Sequence, residues 1–84
     1  MKIVYTKHAL KKFKDLAELK ILISRSIVNS IIKEPISIDN FSDFPNKIAT
    51  GMFDKTHVLR IVYKEEDGKI VIVTFYPGKK ERYI

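Results

Sequence analysis

The chain has 84 residues, 45% of them hydrophobic, and its 16 Lys and Arg against 10 Asp and Glu give a net charge of +6. This length predicts one domain, residues 1–84, and the apolar content excludes a disordered chain. Without Cys, with two His and with no apolar run of about 18 residues, the chain has no disulfide, no structural zinc cluster and no membrane span. The start carries charge and lacks a signal-peptide pattern, so we expect a cytoplasmic protein.

The charge is unevenly distributed along the chain. Residues 1–33 carry a net charge of +6, residues 34–67 carry −3 and residues 68–84 carry +3. Basic ends around an acidic middle favour a polyanion such as nucleic acid, or an acidic protein, as the partner. Because Lys greatly outnumbers Arg, specific reading of bases is not favoured.

The first half of the chain predicts a strand followed by two helices. Residues Lys2–Tyr5 form the strand, and Thr6 is a natural N-cap for a helix from about Lys7 to Leu19. Ser24 is the N-cap of the second helix, which Pro35 ends. The apolar residues of both helices recur at helical spacing: Ala9, Leu10, Phe13, Leu16 and Ala17 in the first, and Ile27, Val28, Ile31 and Ile32 in the second.

The period then changes to that of strands. Residues 36–38 predict a short strand or an extended connection, and Lys47 to Phe53 predict a strand. Gly51 within it indicates a bulge or a close approach of another segment.

The strongest strand patterns come last. His57 to Lys64 and Lys69 to Tyr76 predict two strands joined by a turn at Asp67-Gly68. The second of them is continuously apolar, so we expect it to be central and covered on both faces. Pro77-Gly78 predicts a turn, and Lys79 to Ile84 predicts a final short strand.

The predicted fold class is α+β, in the order β-α-α-β-β-β(-β). Two N-terminal helices pack on one face of a twisted, mostly antiparallel sheet. The other face is expected to be open and to carry polar and basic side chains.

Few residues offer chemistry. The two histidines, His8 and His57, are 49 positions apart and have no carboxylate cluster around them, and phosphate-binding loops and nucleophile elbows are missing, so we expect no metal and no cofactor. His8 lies in the first turn of the first helix, away from its apolar face, where the helix N-terminus favours a neutral imidazole that could act as a base. The alternative is an exposed or hydrogen-bonded histidine at a helix start.

Arg60 is a charge within an otherwise apolar strand. Strand alternation places it on one face with Val58, Val62 and Lys64, and it places Leu59, Ile61 and Tyr63 on the opposite face. Because a charge in a sheet is costly unless it is solvated or paired, we expect Arg60 to point to an open face or to pair with an acidic residue of a neighbouring strand.

The tail combines aromatic and basic residues, which is typical of surfaces that stack bases and bind phosphates. The alternative is a solvated, charged terminus. The residues predicted to contact nucleic acid are Tyr76, Lys79 and Arg82 of the tail and Lys11 and Lys12 of the first helix.

The order of these motifs resembles the RelE/ParE-like toxin superfamily. The strand that contains Arg60, the acidic turn, the next strand and the basic segment Gly78–Arg82 resemble the C-terminal half of RelE-type toxins. The opening Tyr5–Ala9, Ile23-Ser24 and Glu34-Pro35 resemble a small family with a Ser/Thr-x-His-Ala start and a domain of unknown function, and BrnT-type toxins have a similar opening.

The resemblance implies the toxin of a type II toxin–antitoxin pair that cuts RNA without a metal, on the ribosome in many members. It implies that Arg60 contacts the scissile phosphate, that Lys80 supplies a second cation, and that Tyr83 stacks on a base or transfers a proton. His8 is then the acid/base residue. The implied partners are a cognate antitoxin protein and RNA, and no association with a membrane is expected.

The sequence leaves other functions open. Tyr83 lies closer to the basic segment than the tyrosine of RelE does, and basic residues before the hairpin are few. A non-catalytic module on the same fold, such as a gyrase-type inhibitor or an inactive, domesticated toxin, is the main alternative. Nucleic-acid binding without chemistry is the third.

Overall fold

A computed structural model describes residues 2–84 as a five-stranded mixed sheet with two helices on one face and a short third helix after the last strand. The α+β class and the two N-terminal helices are confirmed. In chain order the elements are β1 (Lys2–Tyr5), α1 (Lys7–Glu18), α2 (Arg25–Lys33), β2 (Ser37–Asp39), β3 (Lys47–Met52), β4 (His57–Glu66), β5 (Lys69–Lys79) and α3 (Lys80–Tyr83).

Both predicted N-caps are present. The hydroxyl of Thr6 accepts a hydrogen bond from the backbone N–H of Ala9 at 3.1 Å, and that of Ser24 accepts one from Ile27 at 3.2 Å. Each bond satisfies a backbone donor that the first helical turn leaves without a partner. The sequence alone therefore places the start of both helices.

The end of α1 has an unusual backbone. Lys20 adopts the left-handed conformation, with φ of 63°. Its N–H donates to the carbonyl of Ala17, and that of Ile21 donates to Leu16, the paired bonds of a helix C-terminus that usually has glycine at the left-handed position. A lysine here costs backbone energy that glycine would not.

The strands lie in the order β1-β5-β4-β3-β2. Only β1 pairs in parallel, with β5, and the other pairs are antiparallel. As expected, β5 lies inside the sheet, between β1 and β4, and β4 is the middle strand of the five. The hairpin turn at Asp67-Gly68 is confirmed, since both residues have positive φ, 51° and 73°.

The core lies between the helices and one face of the sheet. Gly51 sits where the side chain of Ile31 crosses β3, so that a Cβ would come 2.7 Å from Ile31 Cγ1. The predicted close approach is therefore present, and the register irregularity lies instead between Val62 and Tyr63 of β4, opposite β5. The buried core residues are Ala9, Leu16, Ile23, Val28, Ile31, Ala49, Leu59, Ile61, Tyr63, Ile72 and Phe75.

The chain after Tyr76 differs from the prediction. Pro77 and Gly78 continue β5 instead of turning, and the predicted final strand at residues 79–84 is replaced by α3. Because β1 ends opposite Ile72, this part of β5 is a sheet edge, where the missing N–H of proline is tolerated.

The face opposite the helices is less open than expected. Ile48, Val58 and Val62 point to it and are buried. Arg60 and the ring of Tyr83 lie over part of this face. Among the described residues, no helix is long and apolar enough to cross a membrane.

Candidate functional site

Arg60 lies in a row of paired residues that crosses four strands on the face away from α1 and α2. The register pairs Ser37 with Thr50, Thr50 with Arg60 and Arg60 with Tyr76. Directly paired antiparallel residues point to the same face. The side chain of Arg60 is only 14% exposed, so it does not project freely into solvent.

Three side chains surround the Arg60 guanidinium. Its carbon lies 4.3 Å from the ring centroid of Tyr83 and 6.0 Å from that of Tyr76, and Nη2 is 3.9 Å from Asp39 Oδ2. The Nε atom is buried without a hydrogen-bond partner among the described residues. The geometry therefore agrees with the alternative in which Arg60 pairs with an acidic residue. The partner, Asp39, lies on β2, which β3 separates from the strand of Arg60.

Asp39 is fixed by its own loop. Its carboxylate accepts hydrogen bonds from the hydroxyl and N–H of Ser42 and from the N–H of Phe41. These bonds, with a smaller contribution from Arg60, lower the pKa of Asp39 from 3.8 to about 2. The carboxylate is therefore ionised at neutral pH and holds one side of the guanidinium.

Tyr83 connects Arg60 to α3. Its ring occupies the space that a Cβ at Gly78 would need, so it lies directly on β5. A helix of four residues has no stability of its own. The stack on Arg60 and the hydrogen bond from Lys80 N to Thr56 O, 2.8 Å, therefore hold α3 in place.

A second group of polar residues lies at the end of the sheet. His57, the first residue of β4, has Nδ1 3.1 Å from Asp54 Oδ1 and 2.9 Å from Thr56 Oγ1. Asp54 Oδ1 also accepts the N–H groups of Thr56 and His57, which shapes the turn between β3 and β4. The bond from Thr56 N–H, followed by those from His57, lowers the pKa of Asp54.

This arrangement orients the imidazole of His57. A carboxylate beside Nδ1 favours the tautomer that donates from Nδ1, which leaves a lone pair on Nε2. Nε2 has no hydrogen-bond partner among the described residues, and the side chain is 41% exposed. His57 therefore has the geometry of a general base or acid that solvent and ligands can reach.

Cations surround this histidine. A hollow of about 420 Å³, within the size range of ligand sites, lies between the β3–β4 turn and the β5–α3 junction. Its lining has three lysines and one acidic side chain, that of Glu81. We call it the cationic hollow, and it is lined by Lys55, Thr56, His57, Lys79, Lys80, Glu81 and Ile84.

The predicted site residues fall into three places. Lys79 and Lys80 line the cationic hollow, and Arg82 is exposed on α3 beside it. Arg60, Tyr76 and Tyr83 form the stack on the sheet face.

The third place is α1, on the other side of the sheet from Arg60. His8 lies in its first turn and is exposed, with Lys11 and Lys12 in the next turn. Lys20, two residues beyond the end of α1, lines a hollow together with His57 at the end of the sheet, so the length of α1, about 18 Å, separates His8 from that end. His8 therefore does not join His57, Arg60 or Lys80.

The sequence reasoning missed His57 and Asp54 as a pair. It weighed His57 only as a metal ligand, and no group of three His, Asp or Glu able to hold a metal occurs within residues 2–84. The available signal was the spacing Asp54-x-x-His57 across a tight turn between two predicted strands, which brings the side chains together.

Comparison of the chain with protein-family models, with curated proteins and with solved structures found no match.

Proposed function

We propose that this chain is a metal-independent endoribonuclease and the toxin component of a type II toxin–antitoxin pair, acting at the cationic hollow. The observation that carries the proposal is His57: its Nδ1 is held by Asp54, its Nε2 has no hydrogen-bond partner within residues 2–84, and the residue lines the same hollow as Lys55, Lys79 and Lys80. A base, its orienting carboxylate and several cations are what cleavage of an RNA backbone requires.

The chemistry assigns a role to each group. Nε2 of His57 takes the proton of the ribose 2′-hydroxyl, whose oxygen attacks the adjacent phosphorus. The lysine ammonium groups stabilise the charge on the phosphorane. The bond from phosphorus to the 5′-oxygen breaks, that oxygen takes a proton from Lys80, and the products are a 2′,3′-cyclic phosphate and a 5′-hydroxyl.

Arg60 and Tyr83 act indirectly in this proposal. Their stack fixes α3, and α3 carries Lys80 into the hollow. The catalytic role implied for Arg60 by the resemblance is thus replaced by a positioning role. Lys11 and Lys12 on α1 extend the basic surface for the RNA chain, away from the reacting atoms, and His8 has no role in this proposal.

The proposed antitoxin is supported by an exposed apolar edge. β2 ends the sheet, and Ile36, Ile38, Phe41 and Phe44 in and beside it are between 45% and 86% exposed. Exposed apolar residues along an unpaired strand edge are typical of surfaces that bind a protein partner.

The test is an RNA cleavage assay with EDTA, on free RNA and on programmed ribosomes. We expect His57→Ala to lose cleavage by about 10²–10⁴-fold, the contribution of a general base. His8→Ala is the matched control, because it removes the other histidine and should keep nearly full activity. Equal activity of wild type and His57→Ala, or intact RNA in both settings, overturns the proposal.

A second candidate is a module that binds nucleic acid without cleaving it. It is favoured by Arg60, because the cation that RelE-like catalysis would place on the phosphate is engaged by Tyr83 and Asp39. Affinity that falls steeply with salt, without turnover, would identify this module.

A further inference from the structure

A second hollow adjoins the cationic one and shares His57 with it. Its volume is about 580 Å³, and it opens beside the connection between α1 and α2. We call it the apolar hollow, and it is lined by Lys20, Ile21, Leu22, Phe53, Asp54, His57 and Pro77.

Its walls suit a flat, largely apolar group. Leu22 is 78% exposed at the rim, an unfavourable position for leucine without a partner. The rings of Phe53 and His57 lie 5.9 Å apart at an angle of 43°, so together they form an aromatic wall. Nucleobases stack on such side chains with little dependence on their sequence.

Lys20 provides an independent observation. It lines the same hollow and has the left-handed backbone conformation that glycine adopts at lower cost. Residues with a strained backbone of this kind cluster at ligand-binding and active sites. A cation at the rim of an aromatic hollow fits a ligand that carries phosphate as well as a base.

We propose that the apolar hollow binds the nucleobase of the nucleotide whose 3′-phosphate enters the cationic hollow. The inference rests on the proposed function and adds a nucleotide-binding site to it. A nucleotide that spans both hollows places its ribose, with the 2′-hydroxyl, at the residue the hollows share, His57. The base contacts Phe53 and Leu22, and Lys20 faces the sugar–phosphate backbone.

The experiment compares uridine 3′-monophosphate with inorganic phosphate by NMR titration of the whole chain. We expect phosphate to shift only signals around Lys79 and Lys80, and the nucleotide to shift those of Leu22 and Phe53 as well. Nucleotide shifts confined to the cationic hollow overturn the inference. They leave the proposed function standing, because RNA cleavage is measured separately.

Two variants test the walls of the apolar hollow. Leu22→Asn should weaken binding of the nucleotide about tenfold and leave that of phosphate unchanged, in line with the value of stacking and apolar contact per base. Leu19→Asn is the matched control, because Leu19 is similarly exposed, at 71%, and does not line the hollow. Equal affinities of the two variants overturn the inference.

Lys20→Gly separates binding from stability. Glycine relieves the left-handed backbone, so we expect a higher melting temperature together with nucleotide binding weakened about two- to fivefold, the value of an exposed ion pair. A higher melting temperature with unchanged nucleotide affinity overturns the role of Lys20. If the wild-type chain binds the nucleotide in both hollows but leaves RNA intact, the proposed nuclease is overturned instead.

Discussion

Arg60 and His57 lie three residues apart on β4, and the strand uses the two side chains in different ways. Arg60 is 14% exposed, with aromatic rings and Asp39 around its guanidinium, whereas His57 is 41% exposed and has, within residues 2–84, a hydrogen-bond partner on Nδ1 only. A charge inside a sheet face must be satisfied by its neighbours, so it contributes to stability. A group at the end of a strand can keep one atom free for a ligand.

Among the variants that test this contrast, Arg60→Ala should cause the largest loss of stability. The change removes the cation from the Tyr83 ring and opens the face above the buried Val58, so we expect a loss of about 2 kcal/mol, which lowers the melting temperature by about 8–16 °C. Thermal unfolding at neutral pH measures it. An unchanged melting temperature would contradict this stabilising role and would indicate that Arg60 points to solvent and to ligands.

Two variants show which property of the stack matters. Arg60→Lys keeps the charge but loses the planar group that lies on Tyr83, so it should lose about half as much stability.

Gly78→Ala leaves Arg60 intact and displaces the Tyr83 ring, so α3 should lose amide protection from hydrogen exchange at Ile84, whose N–H donates to the carbonyl of Lys80.

Asp54→Asn tests the other side of the contrast. The asparagine still accepts the backbone N–H groups of the turn, but it no longer favours the tautomer of His57 with a free lone pair on Nε2. We expect RNA cleavage to fall on the order of tenfold with the fold retained. Asp43→Asn, in a loop away from the hollow, is the control, and equal rates for the two variants would separate His57 from Asp54.

The pH dependence of stability sharpens the comparison on the Arg60 side. The pKa of Asp39 falls from 3.8 to about 2 on folding, so its contribution is fully present above 3.8 and is lost as the pH falls through about 2. Asp39→Asn should therefore lower the melting temperature at neutral pH, and the gap to wild type should close between pH 4 and pH 2. A gap that stays constant over this range contradicts the role of the carboxylate.

The smallest effect is expected for an exposed ion pair on the same sheet. Lys47 Nζ lies 3.1 Å from Glu65 Oε1, with both side chains well exposed, at 39% and 50%. Lys47→Ala should leave the melting temperature nearly unchanged, because exposed ion pairs contribute little to stability. A loss as large as that of Arg60→Ala would show that burial does not distinguish the two cations.

Local patterns predicted most of the fold. Thr6, Ser24 and Asp67-Gly68 act through bonds or backbone angles within a few residues, so their effects are visible in the sequence. The tail was predicted wrongly because Tyr83 and Lys80 depend on β4 and on the β3–β4 turn, contacts that no local pattern encodes.

The candidate site was predicted only in part. The aromatic and basic pattern of the tail pointed to Lys79, the resemblance to RelE-type toxins pointed to Lys80, and both residues line the cationic hollow. The sequence did not indicate His57 as a site residue, because its proposed role depends on the side chain of Asp54 and on lysines that the fold brings to the same hollow. His8 was predicted as an acid/base residue because it lies at the start of a helix. In the structure the sheet separates it from Arg60.

The parallel pairing of β1 with β5 has a consequence for the synthesis of the chain. Lys2 pairs with Lys69, so the first strand waits for a partner 67 positions later. At 5–20 residues per second this delay is on the order of several seconds, whereas the β3–β4–β5 meander closes through neighbouring segments. Because the meander also needs β5, we expect the β3–β4 hairpin to form first, and the basic helix α1 to lack the strand on which it packs until β5 emerges from the translating ribosome.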